Sequence, residues 1–495
     1  MLAIGRGPAR VSGLGTRLNS LLFTPTDAAS VAVFRIGFGL VMLLDALGHL
    51  FFVPLDAMFV EPPFMFRYYG FEWVPLLREW IYPLYTLIGL ASLGMMLGKF
   101  YRLSATVVVL GTVWVFLQDQ AHYLNHMYLQ ILFAALLVVI PAHRYWSLDA
   151  RARPASASNT LPAWCRLLLV LQIEVILIYA GLVKITPDWL AHQPLGTWLA
   201  KRAEMPFFGE LFMQDWAVGV AVYGVIGLHL LGAPLLLFKK TRLAVLFVYA
   251  CFHLLNHFVF DIGVFPWVTW FASLICFDPD WPRQFAAWLR RQPYVPPALQ
   301  MIAAPAAPLR IAVAVCIMVW LAYQVMMPAR NLLYAGDVAW NEQGHRFSWR
   351  MKLRSKEGDV VFLLRDPTTQ VQEEVNPRPL LRGRQNFKMP CQPDMILQLA
   401  HHMRDSLGPE KFGMQDPEVY VMGICSLNYR RPVTLINPTA DLAAERRHLG
   451  NNSWILPLEV PLSDKRDAFT AVRMESSFAR QNRNRGNVRP AQPPP

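Results

Sequence analysis

The sequence predicts an α-helical polytopic membrane protein of about nine spans that carries a C-terminal exported α+β domain. Three observations lead there. Of 495 residues, 54% are hydrophobic and only 16% charged, whereas soluble chains carry about 25% charge. The apolar residues gather in runs approaching the ~20 residues that a spanning helix needs. Basic residues return in every second loop between those runs, as they do where loops alternate between a cytoplasmic and an outer face.

Taken in order, residues 1–28 form a cytoplasmic N-terminal segment with Arg6, Arg10 and Arg17. No short apolar stretch with an A-x-A cleavage site follows, so the first span is expected to be an uncleaved anchor. The nine runs are 29–51, 80–97, 103–117, 127–140, 164–183, 216–238, 243–260, 263–277 and 311–327. The third, fourth and eighth are short, which suits helices tilted against neighbours or partly re-entrant. The loops with Lys99/Arg102, Arg144/Arg151/Arg153, Lys239/Lys240/Arg242 and Arg283/Arg290/Arg291 are assigned to the cytoplasmic side. Intervening loops hold few cations (Arg67, Arg78, Lys201, Arg202) and many aromatics, as in MFRYYGFEW and MPFFGELF. Such aromatics belong at an outer interface, and an odd span count exports the C-terminus.

The membrane domain therefore covers 29–327, and the composition changes at Pro328 to that of a soluble α+β domain, 328–475. RFSWRMKLRS, a turn-like KEGD and VVFLLRD read as a β-hairpin. A helix is expected over 394–403, and further strands in EVYVMGICSLNY and RRPVTLINP. Residues 476–495 form a low-complexity tail expected to be disordered.

Several function classes are excluded. The net charge of +12 follows from loop topology and gives no nucleic-acid partner. Six cysteines without a CxxC pair predict neither a metal site nor a disulfide framework. His253 and His257 stand at i, i+4, but no third ligand accompanies them. No internal repeat, Gly-rich phosphate loop, GxSxG or HExxH is found.

Ionisable groups inside a bilayer need a partner, a cavity or a function. Arg35, Asp45 and Glu174 fall at depth and read as pairing groups that fix helix packing. The fourth span begins outside at His126, the fifth ends outside at Lys184, and the seventh nears its outer end through His253, Asn256, His257 and Asp261. Three spans thus bring polar groups to one depth. Lys184 admits two readings: a side chain snorkelling to the interface, with Asp188 as ion-pair partner, or a base whose pKa an apolar pocket lowers. For His126 a structural hydrogen bond is the simpler reading, since a lone histidine decides nothing.

At these residues the sequence resembles the vitamin K-dependent gamma-carboxylases, whose membrane region is the HTTM (horizontally transferred transmembrane) domain. The resemblance runs through FTPTDAASVAVFRIGFGLVMLLD, LASLGMMLGKFYRLS, YLNHMYL, HRYWSLD, IYAGLVKITPDW, HLLNHFVFDIGVF and DPDWPR to HRFSWRMKLRS, covering about residues 24–454. It implies that Lys184, in the AG-x-x-K-x-x-x-DW segment, is the base that deprotonates reduced vitamin K. It implies further that Asn125 and His126 act around the hydroquinone and the reacting glutamate, and that His253 and Asn256 contribute to cofactor binding. Reduced vitamin K, O2 and CO2 are the implied cofactor and co-substrates, with no metal. The implied products are vitamin K epoxide and γ-carboxyglutamate. The chain ends earlier than animal members and lacks their cysteine pair between outer loop and exported domain. The short length, the Arg/Ala-rich character and a single glycosylation-type sequon, Asn451-Asn452-Ser453, point to a bacterial cytoplasmic membrane. The implied partners are the bilayer and a glutamate-containing peptide or protein. Two alternatives remain: a quinone epoxidase-like oxidoreductase with another acceptor or none, and a transporter or lipid-handling protein. The outer position of the cluster speaks against the last, because carrier sites lie near the bilayer midplane.

Overall fold

The computed structural model describes residues 11–260, 265–301 and 305–462. Arg6, Arg10, Asp261, the start of the eighth run at Gly263, the exported domain beyond 462 and the predicted disordered tail lie outside the described residues.

A helix that the sequence analysis did not anticipate, α1 (Val11–Phe23), leads into a two-stranded antiparallel ribbon of β1 (Pro25–Asp27) and β2 (Thr160–Pro162). A series of apolar helices follows: α2 (Ala29–Phe52), α3 (Ile81–Leu97), α4 (Tyr101–Phe116), α5 (Asn125–Val139), α6 (Ala163–Leu182), α7 (Asp215–Leu235), α8 (Arg242–Val259), α9 (Phe265–Ser273) and α10 (Ala307–Ala329). Among the described residues six segments are long and apolar enough to cross a bilayer: Ala29–Phe52, Arg78–Leu97, Ala163–Leu182, Asp215–Leu235, Arg242–Val259 and Ala307–Leu333. The chain is thus an integral membrane protein. Each predicted run falls on a helix, but α4, α5 and Pro266–Cys276 are shorter than the other six.

Helices α2 and α3 meet backbone to backbone, since a Cβ at Gly39 would lie 2.7 Å from the Met96 main chain. Phe133 of α5 stands edge-on to Phe34 and Phe38 of α2, at 5.1 and 6.0 Å between centroids, and fixes the centre of the bundle. The basic loops interlock at one end. Arg283 binds Asp27 (2.8 Å), Arg242 binds Asp278 (2.7 Å), and Asp149 accepts the N–H groups of Phe100 and Tyr101 at the start of α4. Arg35, fully buried, donates from α2 to the carbonyls of Ala142 (3.2 Å) and Trp146 (2.6 Å). Of the other deep groups, Asp45 lies 3.6 Å from His49 and Glu174 is 3.8 Å from the Cys276 Sγ.

The C-terminal domain holds a four-stranded antiparallel sheet in the order β4-β3-β5-β6, from β3 (Lys356–Arg365), β4 (Gln372–Val375), β5 (Glu418–Leu427) and β6 (Val433–Thr434). Its long pair runs in register from Lys356↔Leu427 to Arg365↔Glu418. The expected helix is α11 (Pro393–His402), and the expected strand EVYVMGICSLNY supplies β5. Two expectations are corrected. RFSWRMKLRS forms no strand, and KEGD is the beginning of β3; the hairpin is β3 with β4. Gly358 serves close approach rather than a turn, because a Cβ there would collide with the Ile424 carbonyl and sit 2.6 Å from the Cys391 Sγ. A disulfide also exists: Cys391 and Cys425, 34 residues apart, are joined with their Cα atoms 5.6 Å apart. The sheet creates that proximity, by laying β5 against the turn that precedes α11.

This domain docks on the loops opposite the basic ones. Phe66 and Ala121 are buried in its core, Gln385 donates to Asp119 (2.6 Å), and Gln120 donates to Asp394 (2.7 Å). Arg447 reaches both Asp394 and Glu72 at 2.7 Å. The aromatic segment between α2 and α3 is therefore divided, with Phe66 inside the domain and Trp73 and Trp80 exposed.

Candidate active site

Helix α6 ends at Leu182, and the chain turns sharply, with the Lys184 N–H on the Gly181 carbonyl and the Thr186 N–H on the Lys184 carbonyl. The Thr186 hydroxyl then caps a four-residue helix, Pro187–Leu190, through the Trp189 N–H. That turn points Lys184 inward. Its amine donates to the Ala180 carbonyl (2.8 Å) and lies 5.4 Å from the ring centre of Trp189, whose indole is anchored on the Val222 carbonyl (3.2 Å). At 6% exposure, Lys184 is buried rather than snorkelling to the interface. Asp188 is not its partner: Arg430 and Asn428 of the C-terminal domain hold that carboxylate. Burial, with the Arg350 cation acting behind it, brings the amine down from 10.5 to about 8.

Lys184 lines a cavity of about 1140 Å³, and the other predicted residues line it too: Asn125 and His126 on the first turn of α5, His253 and Asn256 on α8. The Asn125 side chain accepts from the Tyr123 hydroxyl (3.0 Å), which in turn accepts the Phe347 N–H (2.7 Å). His253 is buried beside Tyr249, and its Nε2 has no hydrogen-bond partner among the described residues, whereas Asn256 donates to the Phe252 carbonyl of its own helix (2.9 Å). His257 is exposed and stays outside the cavity. Among the described residues no three His, Cys, Asp or Glu side chains are grouped to hold a metal.

The cavity contains groups that sequence reasoning missed. His229 of α7 is buried there with its ring on the Val225 carbonyl (2.7 Å), a lone histidine in an apolar run that gave no signal. The Asp45 and His49 pair also faces it. The larger omission is the roof, where Arg346, Arg350, Lys352, Arg354, Arg384 and Lys388 of the C-terminal domain stand against one acid, Glu342. Glu342 is engaged by Arg354 (2.7 and 2.5 Å) and Lys356 (3.1 Å). The cation density of HRFSWRMKLRS was the available signal, masked by its reading as a strand. Much of the lining is apolar, and Val220 of α7 with Val248 and Leu255 of α8 line the cavity while keeping accessible surface.

Residues 23–281 match the HTTM domain, and residues 310–460 match the vitamin K-dependent gamma-carboxylase lumenal domain. No solved structure matches the chain. The two matches cover both halves of the cavity, its membrane walls and its roof, and the first alone takes in more than half of the sequence. The chain belongs to the vitamin K-dependent gamma-carboxylase family.

Proposed function

We propose that this protein is a carboxylase-like membrane enzyme that couples epoxidation of reduced vitamin K by O2 to carboxylation of glutamate in a peptide or protein. The observation that carries this reading is the Lys184 amine, buried at the cavity wall while the carboxylate four residues on is engaged elsewhere.

The cavity fits the cofactor on two counts. Its walls of Ile176, Leu177, Val225 and Leu228 suit an apolar ring and chain, and the unpartnered His253 Nε2 offers a hydrogen bond to a ring oxygen. Val220, Val248 and Leu255, apolar residues with accessible surface in the lining, suit a lipophilic molecule. When bound, reduced vitamin K supplies the reducing equivalents and, with O2, the basicity that removing a glutamate γ-proton demands. Lys184 takes a hydroxyl proton from it. With a pKa of about 8, roughly one amine in ten is free at pH 7, enough for a general base. His126 and Asn125, on the first turn of α5 in the cavity lining, orient the acceptor. The roof cations Arg346, Arg350, Arg384 and Lys388 attract its carboxylate, and the docked domain excludes water from the reaction.

Orientation follows from the same frame. The interlocked basic loops face the cytoplasm by the positive-inside rule, the C-terminal domain lies outside, and α4, α5 and α9 complete nine crossings as tilted short spans.

The test supplies purified protein with reduced vitamin K, labelled bicarbonate and a glutamate-containing peptide, and follows epoxide and fixed label separately. Both products are expected. Epoxide without label would leave an epoxidase with another acceptor or none, and the absence of both would overturn the reading.

A further inference from the structure

The segment I-T-P-D-W that follows Lys184 does more than close a helix. Its four-residue helix sends Trp189 back under the Lys184 amine and Asp188 outward to the C-terminal domain. Arg430 grips Asp188 with both terminal nitrogens, 2.6 Å to each carboxylate oxygen, and Asn428 adds a third donor at 2.7 Å. Such two-point pairing fixes direction as well as distance. Arg430 is itself held on the carbonyls of Val460 (3.0 Å) and Leu427 (3.2 Å), so the grip is anchored in the domain. Asn428 carries the connection onward. It exchanges hydrogen bonds with Ser355, whose N–H reaches the Asn428 side chain (2.9 Å) and whose carbonyl accepts the Asn428 N–H (2.8 Å). Ser355 ends the segment that places Arg350 and Arg354 in the cavity roof. Leu353 of that segment is packed in one cluster with Val183 and Trp189.

We propose that Asp188, Arg430 and Asn428 form a positioning latch that sets the Lys184 turn and the roof cations in register, making hydroquinone oxidation depend on the docked C-terminal domain. The inference rests on the function proposed above. None of the three residues needs to touch the reacting atoms. Asp188 acts through the turn it terminates, Arg430 and Asn428 through the roof segment they hold. A released roof lessens the burial of Lys184 and takes Arg350 away from it, and the amine then holds its proton to higher pH than in the latched protein.

The experiment measures epoxide formation and label fixation against pH for the full-length wild type, Asp188→Asn, Arg430→Lys and the Asp188→Asn/Arg430→Gln double variant. Asp188→Asn preserves shape while removing the charge and one of the two acceptor oxygens, so it keeps the test open if Arg430 variants fold poorly. The latch predicts an alkaline displacement of the epoxidation profile by about one pH unit, a roughly tenfold loss at pH 7 that is recovered near pH 9. It predicts also that less label is fixed per epoxide, that Arg430→Lys keeps part of the coupling, and that the double variant is no worse than Asp188→Asn. A merely structural role lowers yield or stability without moving the profile. Variants with the wild-type profile and label-to-epoxide ratio, or losses that add in the double variant, overturn the latch. A wild type that forms no epoxide removes the function proposed above and the latch with it; only in an active wild type does an unmoved profile remove the latch alone.

Discussion

At the scale of the residue, Lys184 separates the snorkelling and base readings most sharply. An interfacial cation tolerates arginine, whereas a base does not, because a guanidinium does not release its proton near neutral pH. Lys184→Arg and Lys184→Ala are therefore both expected to lose epoxide formation by about a hundredfold or more. A small primary amine added to Lys184→Ala should restore part of the rate, increasingly as pH approaches the amine's own pKa; wild-type activity in folded Lys184→Arg would remove the residue from the mechanism. Arg350 gives the accompanying pH test. Burial and this cation both lower the Lys184 pKa, so Arg350→Gln raises it, leaves less free amine at a given pH, and moves the rising limb of epoxidation to the alkaline side. An initial-rate profile from pH 6 to 10 reads the displacement. The convergence of Lys184, His126 and His253 was legible because span ends fix depth, but the partner of Asp188 was not. Sequence spacing offered Asp188 to Lys184, whereas the Thr186 cap starts a new helix that turns the carboxylate away, toward a residue far along the chain.

At the scale of the element, apolar runs located the helices, six of them long enough to cross a bilayer, because a bilayer imposes length and composition together. The C-terminal strands were less legible. KEGD carries turn residues, yet Gly358 lies within β3 because the neighbouring strand and Cys391 leave no room for a side chain. The same crowding hid the disulfide, since neither cysteine belongs to a local motif. That bond closes 34 residues between β5 and the turn before α11, a loop whose chain entropy is worth roughly 3–4 kcal/mol. Cys391→Ala/Cys425→Ala is expected to lower the melting temperature of the C-terminal domain while leaving the membrane helices folded. Thermal unfolding followed by proteolysis of that domain checks it, and an unchanged midpoint would show that the bond contributes little.

At the scale of the whole molecule, alternation of charge between loops predicted two faces, and the interlocking of Asp27, Asp149, Asp278 and their partners draws the basic loops together at one of them. Single cysteines placed at Arg151, Lys240 and Thr369, in a protein lacking exposed Cys251 and Cys316, test the direction. On intact cells an impermeant thiol reagent should label Thr369→Cys and spare the other two, and the reverse pattern would invert the topology. The division of the cavity between the two halves of the chain also has a consequence for biogenesis. Its membrane walls leave the ribosome well before the roof of Glu342 to Gln392 has been made. During that interval the Lys184 turn has neither Leu353 against it nor Arg430 on Asp188. On the proposed mechanism the nascent chain therefore passes through insertion before the Lys184 pocket is assembled, and the site is complete only once the last domain has docked.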